Sequence, residues 1–318
     1  MPSSPRSRPA ALRIGSRGSP LALAQAEETR ARLALVQPAL AEPSAIEIVV
    51  IRTTGDRILD RPLADVGGKG LFTKEIDEAL LDGRIDLAVH SVKDLPTQLP
   101  PSIILGATLA REDPRDALIA VGVGTLDALP AGCVVGTSSL RRQAQLLHHR
   151  SDLSVVPLRG NVATRLSRVT DGDLGATMLA MAGLIRLGRV RRQDHQSVVD
   201  SAETETVIRP VPVDVMLPAV GQGAIGVACR EHDEAVRMLV AAIDDRHTHT
   251  CVIAERAMLE VLDGSCRTPI AGLAVIEDEL EETLHLSGLI ARPDGSQIHA
   301  DNRRGGQADA LALGHELG

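Results

Sequence analysis

Short apolar runs alternate with helix-forming segments along most of this chain, and that alternation limits the fold more than any other feature. IEIVVIR (46–52), IDLAVHS (85–91), SIILGAT (102–108), DALIAVG (116–122), CVVGTSS (133–139), LSVVPLRG (153–160) and ATMLAMAG (176–183) are apolar, rich in β-branched residues and bounded by Gly, Pro or Asp, as strands are. Helix signals fill the intervals. Residues 20–36 follow Ser19 as N-cap with Pro20 at the first helical position, 72–82 carry Glu75, Asp77 and Glu78, and 161–170 begin at Asn161. This order predicts α/β layers, with helices covering a mostly parallel sheet.

At 318 residues and 44% hydrophobic, the chain is long enough for two or three cores. REDPRDA at 111–117 and the polar stretch 189–212, which ends in RPVPVD, read as domain edges. Beyond residue 230 the texture changes. Helical patterns at 233–244 and 249–263 precede a meander-like pair, AGLAVIE (271–277) and ETLHLSGLIARP (282–293), and a last helical signal at 307–317, which predicts a small α+β unit. The opening MPSSPRSRPA reads as a disordered tail without an apolar export signal. No apolar run approaches the roughly 18 residues of a membrane span, and the four cysteines form no CxxC, so a reduced, cytoplasmic protein is expected.

Arginine placement carries the first functional signal. Arg141 and Arg142 lie in GTSSLRRQ, Arg159 and Arg165 in LRGNVATR, Arg17 in GSRGSPLA and Arg186 in AGLIRLG. Guanidinium is a rigid, permanently charged fork that matches carboxylate or phosphate oxygens two at a time, so converging arginines imply a ligand with several acidic groups. Number alone means little here, because all basic residues but Lys69, Lys74 and Lys93 are arginine, the pattern of a GC-rich genome. A net charge of −8, with no Trp, no Tyr and a single Phe, excludes the usual nucleic-acid binder.

Several motifs imitate chemistry. GQGAIG (221–226) matches a dinucleotide fingerprint, yet Pro218 interrupts the strand that should precede it and strand-like VACR follows where a helix should start. VGGKGLF (66–72) lacks the upstream Gly and following Ser or Thr of a phosphate-binding loop, which leaves a glycine-rich loop suited to a mobile lid. His247, His249 and Cys251 have metal-like spacing but sit where a helix starts, which makes the side chains diverge. His148 and His149 read as the polar end of a helix.

Two places withstand that filter. In AVHSVKDLP (88–96) a buried strand ends in His90, Ser91, Lys93 and Asp94, where α/β sheets place their ligands. Asp94 is suited to acid–base work or to stabilising a developing cation. In DGSCRTPI (263–270) a loop cysteine, Cys266, lies beside Arg267, which favours thiolate character.

GSRGSPLALAQ, TTGDRILDRPLADVGGKGLFTKE, DLAVHSVKDLPT, REDPRDALI, GTSSLRRQAQL, LRGNVATRL, LAMAGLIRLG, LPAVGQGAIG, ERAMLEVLDGSCRTPI and PDGSQI, in this order, resemble the porphobilinogen deaminase (hydroxymethylbilane synthase) family from about residue 12 to the end. The resemblance implies two α/β domains like the halves of type II periplasmic binding proteins, with the active cleft between them, plus a small C-terminal α+β domain. Its boundaries would be a tail over 1–11, a discontinuous first domain (12–110 with 212–230), a second over 111–211 and a third over 231–318.

The resemblance also implies a cytoplasmic, monomeric transferase of tetrapyrrole and heme biosynthesis that binds neither nucleic acid nor membrane. It would condense four units of porphobilinogen, losing ammonia each time, and release hydroxymethylbilane hydrolytically. Cys266 would hold a dipyrromethane cofactor through a thioether and Asp94 would be the catalytic carboxylate. Ser19, Lys93, Ser139, Arg141, Arg142 and Arg165 would bind the cofactor; Arg17, Lys69, Phe72, Arg159, Arg186 and Gln222 would bind substrate; no metal is implied. Asp65 and Ile185 stand where the family often has Lys, Ser265 replaces a frequent Gly, and the last helix is short. The rival readings are a two-lobed carboxylate-binding protein without catalysis and a cysteine-dependent hydrolase.

Overall fold

The structure, a computed structural model, describes residues 11–57, 71–191, 197–201, 204–264, 268–278 and 283–318. Three sheets organise it. The first contains β1 (Leu12–Ser16), β2 (Ile46–Val50), β3 (Leu87–Ser91), β4 (Ile103–Thr108) and β11 (Ile225–Arg230), in the order β2-β1-β3-β11-β4. The second contains β5 (Asp116–Val121), β6 (Val134–Gly136), β7 (Ser154–Val156), β8 (Ala176–Ala180), β9 (Ser197–Ser201) and β10 (Thr204–Pro210), in the order β7-β6-β8-β5-β10-β9. The third is the antiparallel meander β12 (Ile270–Asp278), β13 (Thr283–Ala291) and β14 (Ile298–Gly306). Two α/β units and a small α+β unit are thus present, the arrangement that the resemblance implied.

Helices occupy the intervals: α1 (Pro20–Val36), the single turn α2 (Thr54–Arg57), α3 (Lys74–Leu81), α4 (Leu140–His149), α5 (Val162–Thr170), α6 (Met181–Arg186), α7 (Glu234–Ala241), α8 (Arg246–Val261) and α9 (Ala310–Leu317). Their starts are written in the sequence. Ser19, Ser139, Asn161, Asp233 and Asp245 each accept a hydrogen bond from a first-turn backbone N–H of the helix they precede. Leu33 of α1 packs with Ile14, Leu87 and Val227 in the first core, Leu166 and Met181 pack with Ile119 in the second, and Met258 packs with Leu284, Leu286 and Leu313 in the third.

The sheets are mixed rather than mostly parallel. β1 pairs in parallel with β2 and β3, but β11 lies antiparallel between β3 and β4, and β5 pairs antiparallel with β8 and β10. β11 enters its sheet from the 211–224 connection rather than through a crossover helix, so nothing forces it parallel. ATMLAMAG divides at Met181, where the strand becomes α6. The helix predicted at 249–263 begins earlier, at Arg246, because Asp245 caps it through Thr248 N at 2.8 Å.

The rejected motifs that fall on described residues turn out as structural elements, while residues 66–70 of VGGKGLF lie outside them. Gly221 and Gly223 take φ values of 70° and 92° in a turn that leads into β11, and a Cβ on Gly223 would stand 2.2 Å from the Glu112 carbonyl oxygen. His247, His249 and Cys251 lie on α8; the His249 ring sits 2.9 Å from Asp244, and burial takes the Cys251 thiol up to about 12. Among the described residues no group of His, Cys, Asp or Glu could hold a metal ion. None of their helices is long and apolar enough to cross a membrane.

Polar contacts fasten the third unit to the other two. Glu255 of α8, fully buried, accepts hydrogen bonds from both Nη atoms of Arg111, from Gly221 N at 2.6 Å and from Ala274 N at 2.8 Å. The turn between β13 and β14 rests on α4: Gln143 Nε2 donates to Pro293 O at 3.1 Å, and His148 Nδ1 lies 3.0 Å from Gly295 O.

Candidate active site

The carboxyl ends of parallel strands from both α/β units carry most of the side chains that the sequence singled out as candidates. β1 runs into Arg17 and Ser19, and β3 into His90, Ser91 and a single 3-10 turn, Val92–Asp94, that presents Lys93 and Asp94. From the second unit, β6 leads to Ser139, Arg141 and Arg142, β7 to Arg159 and Arg165, and β8 to Arg186. Main-chain direction alone gathers these residues, which is the usual logic of ligand sites in α/β sheets.

On the first unit's side, Arg17, Ser19, Gln25, Phe72, His90, Ser91 and Asp94 line one recess. The Arg17 guanidinium carbon stands 4.2 Å from the Phe72 ring centroid, a cation–π contact. A Cβ on Gly55 would lie 2.3 Å from the same ring, so Phe72 has Gly55 and Arg17 for neighbours. Gln25, 4% exposed, exchanges hydrogen bonds with Ser91 at 2.9 and 3.2 Å, which ties α1 to the end of β3. His90 is 5% exposed, and its Nε2 has no hydrogen-bond partner. Burial, reinforced by Arg17, holds that imidazole down to about 4, so it is neutral at pH 7.

On the other side a buried anion organises the cations. Asp116 opens β5 and is fully buried. Its Oδ2 accepts Arg141 Nη1 at 2.7 Å; its Oδ1 accepts Arg142 Nε at 3.0 Å, Arg142 Nη2 at 2.7 Å and Gln222 Nε2 at 3.0 Å. Burial would raise this carboxyl, but Arg141 and Arg142 hold it well below the usual carboxylate range. Gln222 links the units: its Nε2 also donates to Pro114 O at 2.8 Å, and its Oε1 accepts Lys93 Nζ at 3.2 Å. Burial draws the Lys93 ammonium down to about 8; Asp94 and Asp116 oppose that shift, while Arg142 and Arg141 add to it. Arg165 is lowered to about 10 by burial and by the like charges of Arg142 and Arg159. For both, burial is the largest cause and the neighbouring like charges add to it.

Among the described residues, Arg17, Ser19, Phe72 and Asp94 share the recess, and Lys93, Gln222, Arg141 and Arg142 connect through Asp116. Ser139 caps α4 through Arg142 N, and Arg165 Nε donates to Gly160 O at 3.0 Å. Arg186 bridges the units, with Nε on Glu28 Oε2 and Nη2 on Gly223 O, each at 3.0 Å. Gln222 is fully buried. Lys69, Asp65, Ser265 and Cys266, like the 1–10 tail, lie outside the described residues. Gln25 and Asp116 were missed. An isolated Gln on an amphipathic helix gives no signal, and an Asp at a strand's first position reads as a boundary residue.

The chain is similar to known proteins over nearly its whole length. Residues 12–238 match the family model described as porphobilinogen deaminase, dipyromethane cofactor binding domain, and residues 249–318 match porphobilinogen deaminase, C-terminal domain. The chain is 53% identical over 294 residues to the chloroplastic porphobilinogen deaminase of Oryza sativa subsp. japonica, covering 92% of this chain and 78% of that protein. It is 52% identical to porphobilinogen deaminase of Paracoccus denitrificans (strain Pd 1222), covering 96% of this chain and 92% of that one. Among solved structures, the periplasmic aliphatic sulphonate binding protein SsuA from Escherichia coli aligns with a TM-score of 0.41 at 14% identity, over 80% of this chain and 71% of that one.

Proposed function

The chain belongs to the porphobilinogen deaminase family, and we propose that its cleft joins four porphobilinogen units head to tail at Asp94, on a dipyrromethane cofactor tethered at Cys266. Ammonia leaves at each addition, and hydrolysis frees linear hydroxymethylbilane. The observation that carries the site reading is the excess of cations, Lys93, Arg141, Arg142 and Arg165, over the carboxylates Asp94 and Asp116 among them. Lys93 and Arg165 both feel the charge of Asp94, while Arg142, Arg159 and Arg141 crowd them. Such a surplus is costly unless a ligand with several carboxylates neutralises it.

The residues present fit the cofactor. Arg141 Nε is buried without a hydrogen bond, a donor left over from the contacts with Asp116 and Leu217 O, and a carboxylate arm would satisfy it. When bound, the cofactor supplies a tethered pyrrole whose free α-carbon is the nucleophile. Ser19, Lys93, Ser139, Arg141, Arg142 and Arg165 would hold its acetate and propionate arms; Arg17, Lys69, Arg159 and Arg186 would hold those of the incoming unit, while Gln222, fully buried and bonded to Asp116, Pro114 O and Lys93, would act from behind them.

Asp94 accepts hydrogen bonds from pyrrole N–H groups and stabilises the cation that forms as porphobilinogen loses ammonia, in a recess that limits water. The same carboxylate then takes the proton released by carbon–carbon bond formation. Stacking of a pyrrole on Phe72 requires Arg17 to leave the ring, which a substrate carboxylate would favour. Residues 12–110 with 212–230, 111–211 and 231–318 would be the three domains, and the chain would act as a cytoplasmic monomer, a state that light scattering checks.

Asp94→Asn is the direct test. It should lower turnover on the order of 10²-fold or more without changing the melting temperature. Turnover near that of the unaltered enzyme would refute the role of Asp94. A carboxylate-binding protein would bind porphobilinogen and release it unchanged.

A further inference from the structure

We propose that Asp116 is a positioning residue for this reaction: one buried carboxylate that sets the two cofactor-side arginines and, through Gln222, the lysine next to Asp94. The inference rests on the reading of the cleft as the porphobilinogen site. Asp116 touches neither the recess at Asp94 nor solvent, so its effect has to pass through other side chains.

The geometry divides the work. The Nε and Nη2 of Arg142 both bind Asp116 Oδ1, and its Nη1 donates to Met178 O at 2.8 Å, so this guanidinium is held at all three nitrogens. Arg141 is held at Nη1 alone, by Asp116 Oδ2 and by Leu217 O at 2.8 Å, with Nε unsatisfied. Gln222 places its amide nitrogen on Asp116 and its amide oxygen on Lys93, and so connects β5 of the second unit to the turn after β3 of the first. A two-lobed cleft could drift at this boundary. The Asp116–Gln222–Lys93 chain instead gives both walls a common reference. Asp116 also offsets part of the repulsion among Arg141, Arg142 and Lys93.

The test compares Asp116→Asn, Asp116→Glu and Gln222→Met with the unaltered holoenzyme. The readouts are kcat and KM for porphobilinogen, the pH profile, cofactor content by intact mass, and melting temperature. Asp116→Asn should lower kcat/KM about 10²-fold, the scale of a roughly 1 Å misplacement of binding groups. Asp116→Glu should recover part of that loss. Lys93 loses an opposing negative charge in Asp116→Asn, so the alkaline limb of the profile should move to lower pH. A role in stability alone would lower the melting temperature and leave the limb in place.

Gln222→Met removes the link to Lys93 together with the amide's hydrogen bonds to Asp116 and Pro114 O, and leaves the Asp116–arginine contacts in place. It should keep the cofactor and shift the alkaline limb, and it decides the matter if Asp116→Asn does not fold. An unchanged limb in Gln222→Met, or unaltered kcat/KM in a folded Asp116→Asn, overturns the proposal. Asp94→Asn run in parallel separates the two readings. Its inactivity beside an unaffected Asp116→Asn condemns the Asp116 role alone, whereas full activity of both condemns the cleft assignment.

Discussion

Replacing Glu255 by Gln should be among the most destabilising single changes outside the apolar cores. Four donors converge on this fully buried carboxylate: two guanidinium nitrogens of Arg111, Gly221 N and Ala274 N. Glutamine keeps one acceptor oxygen and turns the other position into an N–H pair that faces donors. Arg111 also loses its counter-ion with only 12% of its side chain exposed. Removing one partner of a buried pair costs about 3–5 kcal/mol. At about 2–4 °C per kcal/mol, that lowers the melting temperature by roughly 10 °C.

Circular dichroism is the suitable probe, because the chain has no Trp or Tyr for fluorescence. The double change Arg111→Met with Glu255→Met should recover only part of the loss, since two buried backbone N–H groups remain unsatisfied at about 1–3 kcal/mol each. A loss below about 1 kcal/mol for Glu255→Gln, or a double variant as stable as the parent, would refute this account of how the third unit is held.

Turnover of porphobilinogen should fall as pH rises through about 8, because deprotonated Lys93 no longer holds the cofactor's carboxylate arms; Lys93→Arg should flatten that fall, measured by initial rates. The folded His90 takes up a proton only near pH 4, against 6.5 for the free side chain, so the unfolded chain binds more protons between these values. Stability should therefore fall as pH drops from about 6.5 through 4, and His90→Gln should remove that part of the dependence in denaturant titrations. Gly295→Ala places a Cβ 2.6 Å from His148 N at a φ of 72°, and should expose α4 amides to hydrogen exchange more than those of α1. Fluorophenylalanine labels position 72 alone, and its ¹⁹F resonance should move on porphobilinogen binding and in Arg17→Met, whose methionine removes the cation from the ring.

Much of this was legible because strand ends and helix caps are local. SVKDLP ends a buried strand with Asp94 at its mouth, and Ser19, Ser139 and Asn161 mark helix starts that each open a cleft wall. β1 escaped notice because LRIGS is short and carries Arg13, whose guanidinium pairs with Asp86 rather than with solvent alone. β14, IHADNRRGG, is an edge strand with a largely exposed polar face, so periodicity is faint. The groups that Asp116 holds, Arg141, Arg142 and Gln222, lie 25, 26 and 106 positions from it, and no short window along the sequence holds both ends.

The central claim is that a pyrrole chain grows on Cys266. Intact-mass spectrometry of the purified chain, followed by peptide mapping before and after addition of porphobilinogen, tests it most directly. A two-pyrrole adduct is expected on the peptide containing Cys266, lengthening in single-pyrrole steps and absent from Cys266→Ala. An unmodified Cys266 peptide in a chain that still converts porphobilinogen would contradict it.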